Sequence, residues 1–151
     1  TLILGGIAII VIERLNLETN ITSIETLSLR TALKIGLFQC LALVPGVSRS
    51  GATILGALLV GVERKTAAEF SFFLAIPVML GASTINLWES WELIDASHAY
   101  IIAVGFAAAF VSALFVVQWL LNFVSNHGYT VFGWYRIAFG SLMLAYFLLS
   151  N

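Results

Sequence analysis

Pro45-Gly46-Val47-Ser48-Arg49-Ser50-Gly51-Ala52-Thr53 gathers a proline, two glycines, three hydroxyls and an arginine into nine residues. Those residue types in that order can bind an anion. If a helix begins at Gly51 or Ala52, with Ser48 or Ser50 as its cap, its first N–H groups lack internal partners and point back into the loop. The helix dipole adds positive potential at the same place. Arg49 offers a forked donor that matches phosphate oxygens. Thr53, one turn in, adds a hydroxyl, and Gly46 lets the backbone turn where a side chain would obstruct it. The competing reading is a plain helix break in which Arg49 pairs with a carboxylate on a neighbouring helix.

The surroundings of this cradle are apolar. Residues 35–48 and 50–62 carry no charge, so Arg49 sits near the centre of a long hydrophobic segment. Each flank is shorter than the roughly 20 residues needed to span a bilayer, and a charge at membrane depth is costly and usually functional. Two geometries follow: one kinked helix, or a re-entrant hairpin of two half-helices over 26–44 and 51–62. Pro45 has no N–H and disfavours helix at the residue before it, which favours the hairpin. Non-helical backbone at membrane depth is tolerated only against protein or a water-filled cavity, so the loop is expected to face a polar hollow.

Composition sets the class of the whole chain. Of the 151 residues 60% are hydrophobic and 10% charged, and the mean hydropathy is +1.01. Soluble domains carry about a quarter charged residues, so the expectation is an all-α integral membrane protein, a transmembrane helix bundle. The net charge of −1 gives no sign of a nucleic-acid partner. Residues 2–14 read as the tail of a truncated transmembrane helix and 15–25 as a polar linker in which Asn20 and Thr22 suit turns. Transmembrane helices are expected over 66–88, 100–124 and 130–150, with a kink at Pro77. No signal peptide is visible.

Five of the seven basic residues, Arg14, Arg30, Lys34, Arg64 and Lys65, fall on one side if 35–62 is a hairpin. The positive-inside rule places that side in the cytoplasm and the loop 89–98 outside. Gly105, Ala109 and Ala113 form a small-residue stripe suited to close helix packing. Cys40 is expected to be a packed thiol. Glu69 either pairs with Lys65 or joins Ser71 in support of the cradle. Arg136 is expected to snorkel to the membrane surface. His98 and His127 read as solvated loop residues, and Trp88, Trp91, Tyr100, Tyr129, Trp134 and Tyr135 as interface anchors.

The nonapeptide also fits a family pattern. PGVSRSGAT resembles the PGxSRSxxT signature of bacterial undecaprenyl-diphosphate phosphatases of the bacitracin-resistance type. Residues 38–43 (FQCLAL), 69–72 (EFSF) and 75–77 (AIP) resemble the same family. The resemblance runs through all 151 residues but covers only the C-terminal part of such a protein. The family's N-terminal motif of acidic residues with a serine and a histidine has no counterpart here. The resemblance implies a multi-pass protein of the bacterial inner membrane, of which this chain is half of an inverted repeat. It implies hydrolysis of undecaprenyl diphosphate to undecaprenyl phosphate and phosphate, recycling the lipid carrier for cell-wall synthesis. On that reading Arg49 and Ser48 are catalytic, and Ser50, Gly51, Thr53 and Gly46 bind substrate. The missing N-terminal half is the partner that supplies the acidic residues, the histidine and a divalent cation, Mg or Ca, so this chain alone is not expected to hydrolyse. Whether a serine or an activated water attacks stays open. The runner-up is a transporter or flippase that holds an anionic or lipid-phosphate substrate at the broken helix. A nucleotide loop is excluded, since SRSGAT lacks Gly-Lys-Ser/Thr. No zinc spacing occurs, and Ser48-Arg49 lacks the histidine and aspartate of phosphatidic-acid-type phosphatases.

Overall fold

A computed structural model describes residues 1–15, 17–91 and 96–150, which form six α-helices. They are α1 (Leu2–Arg14), α2 (Leu29–Gln39), α3 (Arg49–Leu59), α4 (Arg64–Glu89), α5 (Ala96–His127) and α6 (Thr130–Leu149). Three segments, Arg64–Glu89, Ala99–His127 and Thr130–Leu149, are long and apolar enough to cross a membrane. Their apolar side chains are largely exposed on the outside of the bundle, the reverse of a soluble core. The chain is an all-α integral membrane protein.

The segment 35–62 is not one rod. Ser23 accepts the N–H of Glu25 and opens a short 3-10 turn, Ile24–Thr26. Ser28 then accepts the N–H of Thr31 at 3.2 Å and opens α2. With two serines capping in succession, the first half-helix begins at Leu29 rather than near Thr26. It ends at Gln39 and tightens into a 3-10 turn, Cys40–Leu43. Val44 is extended, with ψ 123°, as the residue before a proline must be. Gly46 has φ +84°, a turn conformation that L side chains rarely adopt. Helix α3 then begins at Arg49, two residues before the expected start, because Ser48 is the cap.

Helices α2 and α3 pack on each other as a hairpin that leaves no room for a side chain at Gly56. A Cβ there would stand 2.5 Å from the Cβ and Cγ of Phe38. Beyond α3, Ile21 and Val62 form a parallel β-bridge, and the N–H groups of Asn20 and Ile21 both reach the carbonyl of Gly61. The expected polar linker is thus partly ordered backbone. It brings the chain into the hairpin at the same end of the bundle where it leaves. Arg64 pairs with Glu13 across that end, Nε to Oε1 2.6 Å. Around this junction Ile35, Ala57, Val62, Ala67 and Val124 form the buried core.

Helix α6 runs against α1, and glycines permit it. A Cβ at Gly6 would meet the Gly133 carbonyl oxygen at 2.7 Å, and one at Gly140 would meet Ile3. Packing rather than apolar transfer holds helices together in lipid, so this glycine seam is a principal tie of the bundle. The Gly105, Ala109 and Ala113 stripe, expected to do that work, is exposed.

Helix α4 continues through Pro77. Helix α5 extends to His127, three residues past its expected end at Val124, and Gly128 (φ +67°) ends it. His127 is therefore helical and stacks on Phe123 at 4.7 Å. Tyr129 is no interface anchor: it is buried, and its hydroxyl donates to the Arg64 carbonyl at 3.0 Å. Trp88, Trp91, Tyr100, Trp134 and Tyr135 are exposed. Cys40 is exposed rather than packed. Glu92 and Asp95 lie outside the described residues, as does the side chain of His98.

Candidate anion site at the start of helix α3

The site is built by the turn and the cap. Ser48 Oγ accepts the N–H of Gly51 at 3.1 Å and lies 3.2 Å from Ser50 Oγ. Among the described residues, no acceptor meets the N–H groups of Arg49 and Ser50. One of the first N–H groups of α3 is thus taken by the cap, while two stay open to an incoming oxygen. Eleven residues of helix behind them add the positive end of a dipole.

Arg49 is the first residue of α3. Its Nη1 is buried without a hydrogen-bond partner among the described residues, and no carboxylate there pairs with it. The plain helix-break reading needs such a partner. The guanidinium is only partly covered, and its one buried nitrogen lacks an acceptor, so this arrangement suits a group that accepts an external anion.

Thr53, expected to donate into the loop, faces elsewhere. It is fully buried, and its hydroxyl approaches the carbonyls of Ser50 at 3.0 Å and Arg49 at 3.2 Å. A further contact, 2.7 Å to Ser71 Oγ, ties it to α4 and leaves its donor committed to its own helix. Thr53 and Ser71 therefore pin the first turn of α3 to α4. Glu69 lies 3.9 Å from Lys65 and is partly exposed, so it pairs along its own helix.

Two cavities flank the start of α3. One of about 280 Å³ is lined by Ser48, Ser50, Gly51, Phe132, Tyr135 and Arg136. The other, of about 450 Å³, lies between α1 and the hairpin, with Leu4, Phe38, Leu41 and Leu55 as apolar wall and Ser48 and Arg136 in its lining. Arg136, and not Arg49, lines both. Its side chain turns toward the tip of the hairpin. Its Nε is buried without a partner among the described residues, and its Nη2 reaches toward the Gly46 carbonyl at 3.5 Å. Sequence reasoning could locate Arg136 six residues into a helix, but the residues around it, Gly5 and Gly46, are far away in the chain. Among the described residues there is no group of three or more His, Cys, Asp or Glu placed to hold a metal ion. The divalent cation implied by the resemblance thus finds no ligand set here.

A family model described as bacitracin resistance protein BacA matches residues 1–142. An undecaprenyl-diphosphatase of Parvibaculum lavamentivorans is 74% identical over 99% of this chain and 56% of its own length. An undecaprenyl-diphosphatase of Rhizorhabdus wittichii is 54% identical over 97% of this chain and 55% of its own length. An undecaprenyl-diphosphatase 2 of Paramagnetospirillum magneticum is 54% identical over 98% and 57%. The chain spans about half the length of these curated relatives.

Proposed function

We propose, from the premise that the chain belongs to the BacA family, that it forms the diphosphate-holding part of an enzyme that hydrolyses undecaprenyl diphosphate. The carrying observation is the capped start of α3, with open N–H groups and an unpartnered Arg49, inside a membrane protein. The lipid's tail stays in the bilayer while its head group enters the cradle. The terminal phosphoryl group rests against the N–H groups of Arg49 and Ser50, with Ser48 and Ser50 as hydroxyl neighbours. Arg49 offsets the charge that develops as the bridging P–O bond breaks. Water, directly or after a serine oxygen has taken the phosphoryl group, bonds to the terminal phosphorus; the bridging P–O bond breaks toward the undecaprenyl phosphate that leaves, and inorganic phosphate departs with the water's oxygen. Thr53 and Ser71 position the helix start rather than touch the lipid.

The general base, the histidine and the divalent cation implied by the resemblance belong, on this reading, to the part of the protein beyond these residues. The cell is bacterial and the membrane the inner one, where such a carrier is recycled. The hairpin is re-entrant. Its tip meets α6 at Arg136, six residues of rise or about 9 Å from the first residue of α6, and the chain enters and leaves at one end of the bundle. No feature favours the transporter reading, which needs the same loop and no hydrolysis.

The test is phosphate release from undecaprenyl diphosphate by the full-length protein in detergent. The wild type should turn over, and Arg49→Ala should lose about a hundredfold or more in kcat, the usual loss for a transition-state donor. A wild type that releases no phosphate, or an Arg49→Ala variant at wild-type turnover, would overturn the assignment.

A further inference from the structure

The cradle at α3 is small. Ser48 occupies the Gly51 N–H, leaving two backbone donors, those of Arg49 and Ser50. Two donors and one dipole suit one phosphoryl group. A diphosphate carries two phosphoryl groups and about three negative charges, so a second cationic station is needed.

Resting on the function proposed above, we infer that Arg136 is that station: it holds the second phosphoryl group and makes the site select diphosphate over monophosphate. Four observations support this. Arg136 shares both cavities with Ser48 and Gly51. Its Nε is buried and unpartnered among the described residues, and its one contact, to the Gly46 carbonyl, is long. No carboxylate among those residues neutralises it. Finally, α1 leaves room for it: a Cβ at Gly5 would stand 2.8 Å from its Nη2. A guanidinium is a fork of fixed geometry, so two neighbouring N–H groups can grip adjacent phosphate oxygens. A monophosphate can engage one station only, and it re-seats on the cradle, where two N–H donors, the helix dipole and Arg49 hold it without Arg136.

The experiment uses the full-length protein with farnesyl diphosphate and farnesyl monophosphate as probes, measuring binding of both and phosphate release from the first. Arg136→Gln should weaken diphosphate binding by about ten- to a hundredfold, the range for a charge-assisted hydrogen bond. Monophosphate binding should change by less than about threefold, a smaller step than the tenfold that one full interaction represents. Arg136→Lys should recover only part of the selectivity. Gly5→Ala, which crowds the guanidinium without touching the cradle, should lower selectivity in the same sense. Equal weakening of both probes would make Arg136 a brace for the Gly46 carbonyl and overturn the inference, as would an unchanged ratio in a folded variant. Absence of phosphate release from undecaprenyl diphosphate by the same wild-type preparation would instead sink the function on which it rests, so the two failures are distinct.

Discussion

Thr53 and Ser71 join α3 to α4 through one buried contact of 2.7 Å, and its strength can be worked out. Thr53 donates to the carbonyls of its own helix and accepts from Ser71. Thr53→Val keeps the shape and deletes the oxygen, which strands the Ser71 hydroxyl in a dry contact; Ser71 is only 3% exposed. An orphaned buried hydroxyl costs about 1–3 kcal/mol. The stranded O–H can turn back to a carbonyl four residues earlier on its own helix, which places the loss toward the lower figure. Ser71→Ala should cost about 1 kcal/mol, since Thr53 keeps its intrahelical bonds. In the double variant neither hydroxyl is left alone, so its loss should fall short of the added single losses. Measured couplings of this kind in a membrane bundle average about 0.6 kcal/mol and reach about 1.7 kcal/mol, and about 1 kcal/mol is expected here. The assay is reversible unfolding of the full-length protein in mixed micelles for the four members of the cycle, with turnover measured in parallel. Coupling under about 0.3 kcal/mol, the scatter of independent sites, would show that the contact does not anchor the first turn of α3.

Two further outcomes come from the packing and the electrostatics. Gly56→Ala drives a methyl into Phe38, and overpacking of this kind costs about 1–3 kcal/mol; a melting temperature equal to the wild type would mean that the hairpin closes elsewhere. Burial, and then the nearby Glu13 carboxylate, push the Tyr129 phenol well above its ordinary value, so the neutral form is the one the fold favours. The stability tied to it is complete below about pH 10, the unfolded value, and is lost as pH climbs toward the folded one. Tyr129→Phe should flatten that alkaline fall and cost about 1 kcal/mol at neutral pH for the lost bond to the Arg64 carbonyl. An alkaline melting profile identical to the wild type would refute the placement.

The parts of the site that can be read from the chain are those whose effect is local. Pro45 constrains Val44, Gly46 supplies a positive φ, and Ser48 caps α3; none of this needs a neighbour from another helix. The start of α2 is harder to place, because Ser23 and Ser28 compete as caps and only the bridge between Ile21 and Val62 settles where the linker ends. Thr53 shows the limit from the other side. Its hydroxyl suits a cradle by type, yet α4 brings Ser71 against it and turns it inward. Two small-residue stripes are available for close packing. The one at Gly105 meets nothing within 4 Å, while Gly6 and Gly133 meet each other. Arg136 and Tyr129 gain their meaning only from partners some 65 to 130 positions away in the chain.

Helix α5, with 32 residues, measures about 48 Å by its rise, against about 30 Å for α6 with 20 residues. The hydrocarbon layer is about 30 Å thick and fits the second and not the first. Either α5 leans steeply or about a dozen of its residues stand among the lipid head groups, where the exposed Ser125, Asn126 and His127 at its end are at home. Bilayer thickness therefore acts on this one helix far more than on its neighbour, and a change of host lipid will be felt first as a change in how α5 stands.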